Sequence, residues 1–141
     1  MTKCSDVMTR NPVCAHPDDT VAKVARLMKD NDIGPVPIVE DDNSKRLVGI
    51  VTDRDLAIKV VAAGRDPQNT PVREVMTTTV TTCRASDKVD TALHAMSTQQ
   101  LRRIPVVDDD NKLVGIIAQA DIATRMNSPE KTGEVVKEIS E

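Results

Sequence analysis

The sequence predicts an α/β fold of the α+β kind, in which two β-α-β-β-α units pack sheet to sheet about a pseudo-twofold axis. Three observations lead there. First, an offset of 68 residues lays Val7-Met8-Thr9 over Val75-Met76-Thr77, Asp19-x-Val21 over Asp87-x-Val89, Met28 over Met96 and Pro37-x-Val39 over Pro105-x-Val107. Passing over Ser44 and Lys45 in the first copy then aligns Leu47-Val48-Gly49-Ile50 with Leu113-Val114-Gly115-Ile116, and Asp55-x-Ala57 with Asp121-x-Ala123. Second, short β-branched runs alternate with one amphipathic helical stretch in each copy. Third, a unit of about sixty residues with an apolar sheet face covers itself poorly, so two such units are expected to share their burial.

The elements follow in order. "DDTVAKVARLMKDND" opens with carboxylates suited to a helix N-terminus and sets Val21, Val24, Ala25, Leu27 and Met28 at three- and four-residue spacing, which gives a helix with one apolar face. "PVPIVE" and "RLVGIVT" flank the turn cluster Asp41-Asp42-Asn43-Ser44 and read as two antiparallel strands. A second helix is expected from about Asp53 to Ala63, with Gly64 capping its end. Asn69-Thr70-Pro71 supplies an N-cap and a first-turn proline for a short helix ending at Met76, and marks the seam between copies. The expected division is residues 4–66, residues 70–126 and a mobile polar tail over 127–141.

Composition narrows the function classes. With 141 residues and a net charge of −3, the chain's balance argues against general nucleic-acid binding, which needs a basic stripe, though it leaves room for local basic clusters. Phe, Tyr and Trp are absent, which removes the rings on which bases commonly stack and leaves a core of Val, Ile, Leu, Ala and Met. No apolar run reaches the roughly 18–20 residues of a membrane span, and Met1 is followed by Thr-Lys-Cys-Ser-Asp rather than a signal-peptide apolar core. A soluble cytoplasmic protein without nucleic-acid or membrane partners is expected. The three cysteines, Cys4, Cys14 and Cys83, are an odd number without a C-x-x-C; they suit a reducing compartment and are expected to be reduced.

The order V-M-T, amphipathic helix, I-x-P-V-V-D and G-h-h-T-x-x-D (h, apolar), written twice from about Cys4 to Met126, resembles the CBS domain, named after cystathionine beta-synthase and normally found as a tandem pair. "TDRDLAIKVVAAGRDP" further resembles the small stand-alone bacterial CBS-pair proteins, including the mycobacterial hypoxic response type. The resemblance implies a regulatory module that binds AMP, ADP, ATP or another adenosyl compound between paired repeats, and no required cofactor. In the family the Asp ending G-h-h-T-x-x-D holds the ribose hydroxyls and the Thr three residues earlier meets a phosphate, which here implies Asp55 and Thr52. The same pattern implies backbone contacts to adenine from Thr79, Val80 and Thr81, and phosphate contacts from Arg102 and Arg103.

These residue types suit that chemistry. A carboxylate accepts from two neighbouring hydroxyls, and guanidinium groups present paired donors to a phosphate. Thr52, at a strand end beside a helix start, would also set the phosphate against unpaired N–H groups. The mirror-related site would use Asp121 with Ala118, the backbone around Asn11, Pro12 and Val13, and Gly34-Pro35 in place of the arginine pair. It keeps the carboxylate but loses the hydroxyl, both cations and, at Pro12, an N–H donor. One competent site is therefore expected.

Plainer roles stand beside these. Asp55 and Asp121 suit first-turn helix carboxylates, Thr52 an N-cap, Arg102 and Arg103 a solvated strand edge, and Arg54 and Lys59 a solvated helix face. Cys14-x-His16 places two candidate metal ligands on one side of a strand, but two ligands do not make a structural zinc site; a buried thiol and a loop histidine are expected, and no metal. His94 lies in helical sequence without a nucleophile or carboxylate beside it. There is no G-x-x-x-x-G-K-[ST] loop and no nucleophile-base arrangement, so an enzyme is not expected. The alternative to a ligand sensor is a homodimeric scaffold that binds no nucleotide, using exposed helix faces over Val21–Met28 and Leu93–Met96, with a further protein partner of unspecified kind.

Overall fold

A computed structural model describes residues 2–125, so the expected tail over 127–141 lies outside the described residues. The chain is a mixed α/β fold, in keeping with the expected class. It runs α1 (Cys4–Val7), β1 (Thr9–Arg10), α2 (Val21–Asn31), β2 (Val36–Val39), β3 (Leu47–Val51) and α3 (Asp53–Leu56), which passes into a π-helical turn over Ala57–Val61. A 3-10 turn (Val72–Glu74), β4 (Cys83–Arg84), α4 (Val89–Gln99), β5 (Arg103–Val107), β6 (Leu113–Ala118) and α5 (Gln119–Arg125) follow.

The described residues form two compact units, one over Val13–Val80 and the other combining residues 2–12 with residues 81–125. In the second unit a four-stranded sheet has the order β1-β6-β5-β4, antiparallel except for the parallel β4–β5 pair. In the first unit β2 and β3 pair antiparallel, and single bridges extend them: Thr77 to Ile50 on one side and Ala15 to Ile38 on the other. The order Thr77, β3, β2, Ala15 repeats β1, β6, β5, β4 position by position. The leader of each sequence repeat thus pairs within the sheet of the other repeat, so the compact units are not the stretches 4–66 and 70–126 taken whole.

Two glycines explain how the leaders fit. A Cβ built on Gly115 would lie 2.6 Å from Met8 Sδ, and one built on Gly49 would lie 2.7 Å from Met76 Sδ. Each methionine fills the space that a side chain on the strand would need. Aliphatic side chains complete both cores. Val21, Val24, Val36, Ile38 and Val51 are buried in one unit; Leu93, Met96, Ile104, Ile117 and Ile122 are buried in the other. Fully burying such a side chain contributes about 1.5–3 kcal/mol.

Several local expectations need correction. The carboxylates Asp18 and Asp19 precede α2 rather than occupy its first turn: Thr20 is the N-cap, and its Oγ1 accepts from Lys23 N–H at 3.2 Å. Asp19 instead accepts from His16 N–H at 2.8 Å and pairs with Lys23 Nζ at 3.1 Å. Val21, Val24 and Met28 face the core as their spacing predicts, but Ala25 is exposed. Pro71 is the N-cap of the 3-10 turn, not its first residue. Thr70 is buried, its hydroxyl donating to Asp66 O at 2.8 Å and its carbonyl accepting from Val21 N–H at 2.9 Å. The second helix ends at Val61 with Ala62 as its cap, short of the expected Ala63; Gly64 follows at φ +70°, where L side chains are strained, and its N–H donates to Val61 O at 3.1 Å. The proposed dimer faces are also corrected. Val21, Val24, Met28, Leu93 and Met96 are interior, and the exposed large apolar residues among those described are Ile58 and Val61.

Candidate functional site

The passage from β3 into α3 builds the first group of candidate residues. Thr52 leaves the strand with extended backbone and becomes the N-cap of α3. Its Oγ1 accepts from Asp55 N–H at 3.2 Å, while Asp55 Oδ2 accepts from Thr52 N–H at 3.0 Å. This reciprocal capping box satisfies two otherwise unpaired amides. Asp55 Oδ1 lies 3.3 Å from Lys59 Nζ, and the carboxylate side chain is 19% exposed. Lys59 is therefore not the freely solvated lysine that the sequence suggests: its ammonium also donates to Val75 O at 3.0 Å.

The capping role and a ligand role are chemically compatible. A carboxylate offers about four acceptor positions, of which the Thr52 amide and the Lys59 ammonium occupy two. Thr52 Oγ1 accepts a bond but still has its own proton to donate. Asp53 N–H donates to Gly34 O at 3.1 Å, tying the helix start to the residues before β2. Arg54 is exposed, and its guanidinium has no ion-pair partner among the described residues.

The β6-to-α5 passage is the second copy. Its main chain is held in the same way, with Gln119 N–H donating to Arg102 O at 3.0 Å. Its side chains differ. Ala118 has no hydroxyl with which to cap, and Asp121 Oδ2 accepts from Thr9 Oγ1 at 3.4 Å. That contact was missed in the sequence because it joins residues 112 positions apart.

Arg103 begins β5 opposite Ala118 and is half-buried, whereas Arg102 is exposed. Neither guanidinium has a hydrogen-bond or ion-pair partner among the described residues, so both keep a full set of donors. Thr79 and Val80 end the first unit and Thr81 opens the other. No backbone hydrogen bond ties residues 79–81 to another described residue, which leaves their amides and carbonyls available. At the equivalent leader, Asn11 has φ 51° and Pro12 lacks an N–H.

The other chemistry-bearing residues are otherwise engaged. His16 Nε2 lies 2.7 Å from Asp42 Oδ1, and Nδ1 lies 3.4 Å from Asp19 Oδ2. Burial pushes the half-buried Cys14 thiol above its ordinary pKa. His94 is exposed on α4. Among the described residues no group of three or more His, Cys, Asp or Glu side chains is arranged to hold a metal ion, and no helix is long and apolar enough to cross a membrane.

Two repeated strand-helix junctions, each ending in an acidic residue within the first helical turn, define a tandem-repeat module. The CBS domain profile matches residues 4–62 and again 72–128, and the chain belongs to the CBS domain family. It is 39% identical over 140 residues to the CBS domain-containing protein YhcV of Bacillus subtilis, covering 99% of this chain and 96% of that one. Among solved structures it is similar to Hypoxic Response Protein I with two coordinated zinc ions, at TM-score 0.78 and 37% identity over 88% of this chain and 98% of that one. It is also similar to the CBS domain pair of protein MJ0100 in complex with 5-methylthioadenosine and S-adenosyl-L-methionine, at TM-score 0.74 and 31% identity over 88% and 94% of the two chains.

Proposed function

We propose that this chain is a regulatory, non-catalytic module that binds an adenine nucleotide or adenosyl compound at one competent site. The ligand takes Thr52 and Asp55 from the first repeat, and the backbone of Thr79, Val80 and Thr81 with Arg102 and Arg103 from the second. The observation that carries this reading is the Thr52–Asp55 capping box, which holds a carboxylate and a hydroxyl side by side while leaving both with hydrogen-bonding capacity. The two unpartnered guanidiniums and the unpaired backbone of residues 79–81 support it. So does the adenosyl chemistry bound by the MJ0100 pair. Asp121 is the weaker counterpart, because Ala118 offers no hydroxyl and Gly34-Pro35 stand where the first site has the arginine pair.

Regulation by such a ligand requires that it bind two arrangements of the protein with different affinity. Isothermal calorimetry with AMP, ADP, ATP, 5-methylthioadenosine and S-adenosylmethionine tests the assignment on the native chain, Asp55→Ala and Arg103→Ala. The expected result is one equivalent bound by the native chain and at least a tenfold loss in each variant. A ligand with phosphate should lose more in Arg103→Ala than one without. Equal binding by all three proteins overturns the site.

The exposed Ile58, 51% accessible, and Val61, 75% accessible, on the turn that continues α3 favour a homodimer as a second property. Sedimentation of the native chain and of Ile58→Glu/Val61→Glu is expected to show a dimer and a folded monomer. A native monomer, or a dimer indifferent to both charges, refutes that contact.

A further inference from the structure

Two of the three cysteines come together from distant parts of the sequence. Cys4 opens α1 and Cys83 opens β4, and both are buried in the same apolar cluster, at 0% and 3% exposure. The main chain fixes their approach. Cys4 N–H donates to Asp87 O at 2.8 Å, Ser5 N–H to Ala85 O at 3.0 Å and Val89 N–H to Thr2 O at 3.0 Å. Lys3 and Lys88 form an antiparallel bridge. The Cys4 thiol donates to Lys88 O at 3.7 Å, and the Cys83 thiol is the neighbour that most strongly perturbs it. Neither sulfur has a part in the ligand reading above, and Cys14 belongs to the other compact unit.

We infer that Cys4 and Cys83 are a reversible dithiol pair that closes to a disulfide in reaction with a low-molecular-weight disulfide such as oxidised glutathione. Cys4, as thiolate, attacks one glutathione sulfur; a Cys4–glutathione bond forms and one glutathione thiolate leaves. Cys83 then gives up its proton and attacks Cys4 Sγ, releasing the second glutathione as the Cys4–Cys83 bond forms. Two protein thiols are oxidised, one small disulfide is reduced to two thiols, and the two protein protons end on glutathione.

The order of attack follows from access: α1 is a single turn whose local opening uncovers Cys4, while Cys83 stays on β4. While α1 is closed, the Cys83 contact lowers the Cys4 pKa, outweighing burial and the Asp87 charge, and the same contact and burial push Cys83 up. Closure would fasten the leader to β4. The leader carries β1 and Thr9, the hydroxyl partner of Asp121, so oxidation acts on the second-copy carboxylate through its only described side-chain donor.

The test uses the full chain carrying Cys14→Ser, equilibrated in buffers of reduced and oxidised glutathione, quenched with iodoacetamide and mapped by mass spectrometry. The expected result is joint loss of both alkylatable thiols, a cross-linked peptide pair containing Cys4 and Cys83, a monomeric covalent product and full reversal by dithiothreitol. Cys83→Ala in the same background should trap the mixed disulfide on Cys4. Stable glutathione on both cysteines of the Cys14→Ser protein, disulfides between chains, or two thiols that stay alkylatable at every ratio would overturn the inference. Because the Cys14→Ser protein alone decides it, failure of the Cys83 variant to fold does not shield the proposal.

Discussion

Replacing Gly115 by alanine tests the packing on which the leader depends. The new Cβ would lie 2.6 Å from Met8 Sδ, 2.8 Å from Cγ and 3.0 Å from Cβ, all well inside the roughly 3.5–4.0 Å optimum for such atoms. The sulfur is able to swing away, but Met8 Cβ is attached to the main chain, so residues 8–10 must back off from β6. That movement strains the Thr9–Ile116 and Arg10–Gly115 pairing. Overpacking of this kind costs about 1–3 kcal/mol. A mid-range loss of ~2 kcal/mol corresponds to a Tm drop of roughly 6–10 °C for a chain of this size. Met8→Ala alone, at a residue 3% exposed, should cost about 2–4 kcal/mol through the cavity it leaves. In the double variant the alanine methyl occupies part of that cavity, so the combined loss should fall short of the sum by at least ~1 kcal/mol. Urea denaturation of the four proteins at constant m-value measures the cycle. Additivity within ~0.5 kcal/mol would refute the reasoning, because it would mean that Met8 does not lie on Gly115.

Thr52→Ala should lower stability by about 1 kcal/mol through loss of the cap, while Thr52→Ser retains most of it; equal melting of the alanine variant and the native chain would sink the capping box. The pH dependence of stability has an identifiable contributor in Asp19. Burial opposes its charge, but the His16 amide and the Lys23 ammonium outweigh this and hold its pKa below the ordinary 3.8. Its stabilisation is therefore complete above that value and is lost as pH falls through the lower folded value. Urea titrations should show Asp19→Asn starting less stable at neutral pH and losing less than the native chain below about pH 4. Parallel pH profiles would exclude Asp19 as a source of that slope.

Periodicity made most of the fold legible. Val21, Val24 and Met28 recur at helical spacing and are buried, and the two hydrophobic runs around Asp41–Ser44 pair as antiparallel strands. Boundaries were harder where several polar residues compete for one role. Asp18, Asp19 and Thr20 all suit an N-cap, and the one with the hydroxyl took it because the Asp19 carboxylate found the His16 amide and Lys23. At the site, the T-x-x-D spacing announced the Thr52 cap, and the i,i+4 spacing of Asp55 and Lys59 was open to a pair. The Thr9–Asp121 and Cys4–Cys83 contacts were not legible. Both arise only when a leader pairs with a sheet from the other repeat, and no local pattern in residues 2–10 encodes that choice.

The difference between Thr52 and Ala118 then acquires a physical meaning. The main chain treats both junctions alike: Asp53 N–H reaches Gly34 O at 3.1 Å, and Gln119 N–H reaches Arg102 O at 3.0 Å. The side chains alone separate them. Asp55 is oriented by neighbours three and four residues away, through a box closed in both directions and a lysine that is itself anchored on Val75 O. A carboxylate fixed by such local contacts needs little reordering to accept a ligand's hydroxyls, so less of the binding energy goes into arranging it. Asp121 has the reverse situation. Its described side-chain donor is a threonine on the leader, at 3.4 Å, so its orientation is set from outside its own helix. Loss of one hydroxyl in the second copy therefore makes the orientation of its carboxylate depend on where the leader sits, whereas that of Asp55 is set within its own junction.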